Sequence, residues 1–314
     1  MSEFEFHRNP ITERPPLMTT TIKDLPARRA FSVDVKALAK RILPQFRSRL
    51  AARRLLYFPL DTLEYALHLR EPITPPRGLW FVGGEKNYRA INEEFLRYFV
   101  ELGGLKSDHH VLDIGCGVGV MASRLTSFLS PDGAYDGFDI VKPGITWCQR
   151  HISSRLPNFS FAYADVYHEQ YNPKGKLAIS SWSFPYPDAS FDFAWLKSVF
   201  THMTPAPIQH YLRQIRRVLH PGGTCLATLF LLNNESTQLI AQGKSSLPII
   251  HSQGDHSVAD LDLPELAVGI PQDLFHTWCE HAGLLVDGPI RYGSWCGRTT
   301  YTSYQDLAVL RKPR

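Results

Sequence analysis

The segment Val111–Gly119, which reads VLDIGCGVG, constrains the fold of this chain more than any other. A short apolar run leads into a glycine-rich turn, and a helical pattern follows. Gly115, Gly117 and Gly119 permit positive φ angles and a close approach of the backbone to a ligand. The following helix offers free N–H groups and the positive end of its dipole. The segment therefore predicts a strand–turn–helix unit that binds a nucleotide-like ligand.

Short apolar strands alternate with helices from residue 110 onward. This alternation predicts parallel strand pairing and a doubly wound α/β sheet. A final antiparallel pair of strands is expected after the last helix. The predicted strands are 110–114, 134–139, 159–164, 191–196, 224–232, 284–292 and 305–311, and the predicted helices are 87–102, 118–129, 145–156, 206–219 and 271–283.

The N-terminal part lies outside this alternation. Residues 1–30 are rich in proline and show little apolar periodicity, which is typical of an irregular arm. Residues 33–55 and 57–70 have helical patterns and predict two helices. We therefore expect an N-terminal arm and helical extension over residues 1–80.

A second irregular region, residues 233–270, follows the fifth predicted strand. Open α/β sheets carry ligand-covering loops at the carboxyl ends of their strands. We therefore expect a ligand-binding domain over residues 81–314, with 233–270 as an insertion that covers the substrate.

The charge distribution is uneven. The net charge is +4, and residues 36–54 contain seven basic residues and no acidic one. A solvated helix face is the simplest interpretation. The alternative is an anionic partner, either nucleic acid, a membrane surface or a phosphorylated substrate.

The five cysteines are scattered and form no Cys-x-x-Cys pair. This spacing favours neither a disulfide framework nor a zinc site, and it fits a reducing compartment. No apolar run reaches the roughly 18 residues that span a bilayer, and the first residues do not resemble a secretory signal. We therefore expect a cytoplasmic protein.

Three acidic residues lie at the ends of successive predicted strands: Asp113, Asp139 and Asp165. A dinucleotide fingerprint would need a glycine at position 120, which is Val120. The first carboxylate suits a cationic amino group, the second the hydroxyls of a ribose, and the third the amino group of an adenine. An amine, a ribose and an adenine without phosphate describe S-adenosylmethionine. The alternative role of each acid is the capping of a helix.

In these motifs the sequence resembles the class I (Rossmann-like) S-adenosylmethionine-dependent methyltransferases. VLDIGCGVG and YDGFDI are similar to their first two motifs, and RRVLHPGGTCLATLF is similar to the helix, turn and strand that follow their fourth strand. The sequences SVFTHM and GSWCGR…QDLAVLRK resemble a bacterial subgroup, which often has arginine where this chain has Val120. The resemblance runs from about Phe81 to Lys312 and implies a mostly parallel, doubly wound seven-stranded sheet. Residues 1–80 lie outside it. With the residue patterns described above, we expect this sheet to carry an N-terminal helical extension and an insertion after the fifth strand.

The motifs also indicate which residues hold the cofactor. We expect them to lie in the glycine-rich turn, after the second, third and fourth strands, and at the start of the helix that precedes the first strand. They are Tyr88, Asp113, Gly115, Cys116, Gly117, Gly119, Asp139, Ile140, Asp165, Val166, Lys197 and Ser198.

Methyl transfer to a hydroxyl requires alignment of the reactants and a base that takes the proton. His202 follows the fourth strand and is the candidate base, because an imidazole titrates near neutrality; its alternative role is packing or capping. The candidate acceptor contacts are His251, His256, Trp295 and Arg298, and Trp295 is equally consistent with core packing. No metal site is predicted.

The function most consistent with these features is O-methylation of a small molecule, either a glycosyl or a secondary-metabolite hydroxyl. Two alternatives stay open: an RNA methyltransferase that grips phosphates with residues 36–54, and a cofactor-binding scaffold without catalysis. The absence of a basic patch interleaved with aromatic residues disfavours a nucleic-acid partner. A membrane surface is the other candidate partner of 36–54, and the sequence does not indicate an oligomeric state.

Overall fold

The computed structural model describes residues 46–80 and 88–314, and β-strands form its centre. In chain order they are β1 (His110–Ile114), β2 (Ala134–Asp139), β3 (Phe159–Tyr163), β4 (Phe191–Leu196), β5 (Leu219–Leu229), β6 (Leu231–Leu232), β7 (His251–Ser252), β8 (Ser257–Val258), β9 (Val268–Pro271), β10 (Leu285–Val286) and β11 (Asp306–Arg311).

The main sheet has seven strands in the order β10-β11-β5-β4-β1-β2-β3. β11 runs antiparallel to both of its neighbours, whereas the strands from β5 to β3 pair in parallel. The order reverses between β1 and β4, which opens a crevice at the carboxyl ends of these strands. The predicted α/β fold with a mostly parallel seven-stranded sheet is confirmed.

The helices are α1 (Phe46–Ala66), α2 (Tyr88–Glu101), α3 (Val120–Leu125), α4 (Lys142–Cys148), α5 (Pro205–Val218), α6 (Asn234–Ala241) and α7 (Gln272–His281). Single 3₁₀ turns lie at Arg77–Leu79, Phe200–His202 and Pro264–Leu266, and a π-helical turn at Gln149–Ser153 continues α4.

Helices cover both faces of the sheet because strand residues alternate between two apolar clusters. In β4, Leu196 joins the cluster that includes α5 and α7, whereas Trp195 joins the cluster that includes α2, α3 and α4. In β1, Leu112 lies in the first cluster and Val111 in the second. The alternation follows from the two-residue period of a strand.

Two local predictions were wrong. The described part of the predicted helices 33–55 and 57–70 is one helix, α1, with Pro59 inside it, and residues 33–45 lie outside the described residues. Pro59 is exposed, so water can hydrate the carbonyl that its missing N–H leaves without a partner. The fifth strand was predicted to begin at residue 224, but β5 begins at Leu219. Pro221–Gly223 lies inside β5 as a bulge, where the pairing with β4 shifts register.

α1 packs on the same compact unit as the sheet, which runs from Leu43 to Arg314. Its Leu50 is buried against Val141, just after β2. Most of segment 36–54 lies outside the described residues, so its partner and the domain boundary after residue 80 stay predictions. In the described part of the chain, no helix is long and apolar enough to cross a membrane.

The insertion is a small folded layer. Strands β6 to β9 form a second sheet in the order β6-β9-β8-β7. Asn233 and Ser236 form a reciprocal capping box at the start of α6, which fixes where this helix begins. The turn Pro264–Leu266 then packs against the turn Phe200–His202 at the edge of the main sheet.

Candidate active site

A cleft of about 200 Å³ opens at the carboxyl ends of β1, β2 and β4. Most of the residues predicted to hold a cofactor lie in its wall, and the candidate base lies there too. From the predicted set, the cleft is lined by Asp113, Gly115, Cys116, Gly117, Asp139, Ile140, Lys197, Ser198 and His202.

The glycine-rich turn needs its glycines for two different reasons. Gly115, Gly117 and Gly119 all have positive φ angles, of 82°, 60° and 72°. A Cβ on Gly115 would also lie 2.5 Å from Cγ2 of Val199. The turn therefore combines a left-handed backbone with close packing against the loop after β4. Gly119 caps α3 and does not line the cleft.

Asp139 holds the glycine-rich turn against the end of β2. Its Oδ2 accepts a hydrogen bond from the Gly117 N–H at 2.8 Å, and its Oδ1 accepts one from the Val141 N–H at 2.7 Å. Burial raises the pKa of this carboxyl, and the backbone N–H groups oppose the rise. Since each carboxylate oxygen has a second lone pair, Asp139 can also accept hydrogen bonds from a vicinal diol such as ribose.

Asp113 is a buried carboxyl that suits a cationic ligand. Its Oδ2 accepts a hydrogen bond from the Tyr135 hydroxyl at 2.8 Å. Burial raises the pKa of Asp113 to about 7, and the Tyr135 hydrogen bond opposes this rise, as does the nearby charge of Lys197. Burial also lowers the pKa of Lys197, whose Nζ lies 4.5 Å from the ring centre of Phe95. An ammonium group beside Asp113 would favour its ionised form.

Ser198 adopts a strained backbone at the end of β4. Its φ is 57°, a left-handed conformation that is uncommon for a residue other than glycine. Its N–H donates to Thr228 Oγ1 of β5 at 2.7 Å, and its hydroxyl lies within hydrogen-bond distance of the Gln305 side chain. These contacts from two other segments fix the turn that carries Lys197 and leads to His202.

His202 lies at the cleft with a defined tautomer. Its Nδ1 is 2.8 Å from the carbonyl oxygen of Glu265. Because a carbonyl only accepts, Nδ1 carries the proton and Nε2 keeps a lone pair. Burial lowers the pKa of His202, and the carbonyls of Glu265 and Leu266 oppose the shift. The imidazole is therefore neutral at pH 7, the form in which it can take a proton.

The cleft also contains residues that the sequence did not identify. His168, Tyr171 and Tyr211 line it, together with the apolar side chains of Ile179 and Met203. His168 and Tyr171 follow β3 in an irregular segment, so no strand or helix pattern marked them. The one sequence signal was a histidine three residues after Asp165.

Several predicted cofactor contacts do not line this cleft. Asp165 accepts a hydrogen bond from the Tyr163 hydroxyl at 2.9 Å, and neither Asp165 nor Val166 is part of the wall. The side chain of Tyr88 lies outside the described residues. The adenine contact of Asp165 stays a prediction.

The predicted acceptor contacts also lie elsewhere. Trp295 and Arg298 are buried around Asp306, which accepts hydrogen bonds from Trp295 Nε1 at 2.9 Å and Arg298 at 3.3 Å. This arrangement is the core-packing alternative, because a buried carboxylate needs such donors. His251 and His256 lie on β7 and just before β8, and neither lines the cleft.

Comparisons with known proteins agree with this geometry. Residues 111–223, which include β1 to β4 and the glycine-rich turn, match the family model of a methyltransferase domain. The PH0226 protein from Pyrococcus horikoshii has a similar fold, with a TM-score of 0.50 and 17% identity over 74% of this chain and 93% of that chain.

Several curated proteins match part of the chain, and two of them serve as examples. The 27-O-demethylrifamycin SV methyltransferase of Amycolatopsis mediterranei is 31% identical over 41% of this chain and 41% of its own length. The sterol 24-C-methyltransferase of Gibberella zeae is 31% identical over 46% of this chain and 33% of its own length. The matches thus span less than half of these relatives.

The family-model match confirms the prediction of a methyltransferase domain, within residues 111–223. The bacterial subgroup with the SVFTHM and GSWCGR motifs stays a prediction. The carboxylates and the glycine-rich turn fit the cofactor, since Asp113 offers a partner for an ammonium group and Asp139 offers acceptors for a diol.

Proposed function

We propose that the chain is an S-adenosylmethionine-dependent methyltransferase that methylates a hydroxyl group of a small molecule, with His202 as general base. The observation that carries this proposal is the tautomer of His202, whose Nδ1–H donates to the Glu265 carbonyl. Its Nε2 is left as a proton acceptor at the cleft.

Two carboxylates at one end of the cleft would bind the cofactor. Asp113 would pair with the amino group of S-adenosylmethionine, and Asp139 would accept hydrogen bonds from its ribose hydroxyls. S-adenosylmethionine supplies an electrophilic methyl group when bound. The glycine-rich turn sets the backbone close to it, and the strained Ser198 turn keeps Lys197 and His202 beside the same space.

The acceptor end of the cleft combines one base with an apolar wall. Ile179, Met203 and Tyr211 line it, and they would exclude water from an apolar acceptor. His202 Nε2 takes the proton of the acceptor hydroxyl as the oxygen attacks, which raises the nucleophilicity of the oxygen. The positions of these groups also restrict the acceptor to one approach, which supplies part of the rate.

The names of the relatives support a small-molecule acceptor. They include a methyltransferase of 27-O-demethylrifamycin SV, a sterol methyltransferase and the demethylmenaquinone methyltransferase of Symbiobacterium thermophilum. The first name indicates an oxygen acceptor and the second a carbon acceptor. The neutral imidazole of His202 favours an acceptor that must lose an O–H proton.

The test replaces His202 with asparagine. Its side-chain amide can still donate to the Glu265 carbonyl, whereas the proton-accepting Nε2 is lost. With phenols, sugars and polyketide alcohols as acceptors, S-adenosylhomocysteine release should fall about 10²- to 10⁴-fold. The affinity for S-adenosylhomocysteine, measured by calorimetry, should change less than about threefold.

The matched control is His256→Asn, at a histidine paired with Asp255 at 2.8 Å outside the cleft. It should keep the wild-type rate. An unchanged rate in His202→Asn would remove His202 as the base, and cofactor binding without transfer to any acceptor would favour the scaffold alternative.

A further inference from the structure

We infer that Glu265 is a positioning residue: its main-chain carbonyl fixes the tautomer of His202, and its side chain is anchored by His168. The inference deepens the proposed function, since it assigns the insertion a part in preparing the base. Glu265 lies in the turn Pro264–Leu266, and this turn packs on the turn Phe200–His202 that carries the base.

A hydrogen bond joins these two turns. The Glu265 oxygen lies 2.8 Å from His202 Nδ1, across 63 residues of sequence. The bonds that hold the end of β4 come from Thr228 and Gln305, which are outside the insertion, so a shift of the insertion turn would change the His202 hydrogen bond alone. The protonated nitrogen of His202 is therefore determined by the position of the insertion.

The side chain of Glu265 lies beside the ring of His168. His168 Nδ1 accepts hydrogen bonds from the backbone N–H groups of Gln170 at 3.1 Å and Tyr171 at 3.4 Å. Nδ1 therefore has no proton, and the neutral ring carries it on Nε2. This Nε2 lies 3.3 Å from Glu265 Oε2.

The Nε2–H group of His168 is a hydrogen-bond donor, and the Glu265 carboxylate beside it is an acceptor. Burial lowers the pKa of His168 to about 4, so that the ring stays neutral and its Nε2–H is a donor at neutral pH. Nε2 also faces the main-chain carbonyl of His202, which opposes the fall in pKa, but within residues 46–80 and 88–314 it has no well-aligned hydrogen-bond acceptor. The Glu265 carboxylate is close enough to become that acceptor after a small rotation.

The two histidines of the cleft therefore have opposite tautomers, and both contact Glu265. His168 keeps its proton on Nε2, whereas His202 keeps its proton on Nδ1. Tyr171 packs against both rings, with ring centres 4.9 Å from His168 and 6.2 Å from His202. Glu265 thus connects the insertion to both histidines at the acceptor end of the cleft, His168 and His202.

The test reads the tautomers directly and needs no acceptor. Long-range ¹H–¹⁵N spectra of the full-length protein, with ¹⁵N-labelled histidine rings, distinguish Nδ1–H from Nε2–H. The His202 and His168 signals are assigned by their loss in His202→Asn and His168→Asn. The wild type should show Nδ1–H for His202 and Nε2–H for His168, with and without S-adenosylhomocysteine.

The key variant is Glu265→Ala, which removes the anchor and keeps the carbonyl. The ratio of Nδ1–H to Nε2–H tautomer at His202 should fall about tenfold, because a hydrogen bond of ordinary net strength is weakened. Glu265→Gln keeps an acceptor for His168 and should restore the wild-type ratio. Asp255→Ala, which breaks the His256 pair outside the cleft, is the matched control and should leave His202 unchanged.

His168→Asn provides a second route should Glu265→Ala not fold. Asparagine Oδ1 can replace Nδ1 as acceptor for the backbone N–H groups, but the donor toward Glu265 is lost. The ratio of Nδ1–H to Nε2–H tautomer at His202 should therefore fall as in Glu265→Ala. An Nε2–H tautomer of His202 in the wild type, or an unchanged ratio in folded Glu265→Ala or His168→Asn, overturns the inference. Loss of S-adenosylhomocysteine binding alone would instead count against the cofactor assignment.

Discussion

Asp139 gives the sharpest prediction, because one carboxylate both holds the glycine-rich turn and lines the cleft. The change is Asp139→Asn. It keeps the size of the side chain and one acceptor oxygen, but it replaces the other oxygen with an NH₂ group. In the present geometry each oxygen accepts a backbone N–H, from Gly117 and from Val141. The amide must therefore place a donor against a donor.

The magnitude follows from these contacts. A hydrogen bond to a charged group contributes about 1.5–3 kcal/mol, and an unsatisfied buried donor costs about 1–3 kcal/mol. If about 2–3 kcal/mol of this loss destabilises the turn conformation that binds the cofactor, the affinity for the cofactor drops about 30- to 150-fold. Asp139→Ala, which removes both acceptors, should weaken binding by about 10³-fold or more.

The assay is calorimetric titration with S-adenosylhomocysteine, accompanied by thermal unfolding of the free protein. Asp136→Asn is the control, because Asp136 lies on the same strand but pairs with His110 at 2.7 Å, outside the cleft. This control should bind with wild-type affinity. Equal affinity of Asp139→Asn and wild type within about threefold would refute the assignment of the cofactor site to the end of β2.

Three further predictions concern the same cleft and its surroundings. Since the pKa of Asp113 is raised to about 7, its carboxylate becomes protonated below that pH. The affinity for S-adenosylhomocysteine should therefore fall about tenfold for each pH unit below 7. Calorimetry should show that this pH dependence disappears in Asp113→Asn. Gly115→Ala should lower the free energy of unfolding by about 2–4 kcal/mol, because the new Cβ both strains the positive-φ backbone and overlaps Val199. In a double-mutant cycle measured by denaturant unfolding, Val199→Ala should recover only the part of this loss that comes from the overlap. Full recovery would disprove backbone strain. Deletion of residues 1–30 should leave S-adenosylhomocysteine affinity unchanged by calorimetry, and a loss of binding would show that the arm forms part of the site.

The parts of the site that the sequence predicted are local. Asp113, Gly115 and Gly117 belong to one short motif, and their chemistry depends on a single strand–turn–helix unit. Asp139 was predicted because it ends the next strand. Strand and helix periods are also local, which is why the order of the sheet elements could be predicted.

The parts that were missed depend on contacts between distant segments. Glu265 reaches His202 only because the insertion folds into its own small sheet and turns back to the main sheet. His168 lies in a segment without a regular period. Trp295 and Arg298 were predicted as acceptor contacts, but they surround a buried carboxylate, Asp306. A local sequence pattern does not show which distant residues will surround a buried carboxylate.

The place of β11 in the sheet has a consequence for biosynthesis. This strand, Asp306–Arg311, follows every other described strand of the sheet in the chain, yet it lies between β5 and β10. Its first residue also accepts hydrogen bonds from Leu231 and Gly293, which belong to two earlier segments. A ribosome must therefore release residue 311 from its exit tunnel before the edge of the sheet can close. Until then, β5 exposes an unpaired edge, and we expect the nascent protein to need protection from aggregation during that interval.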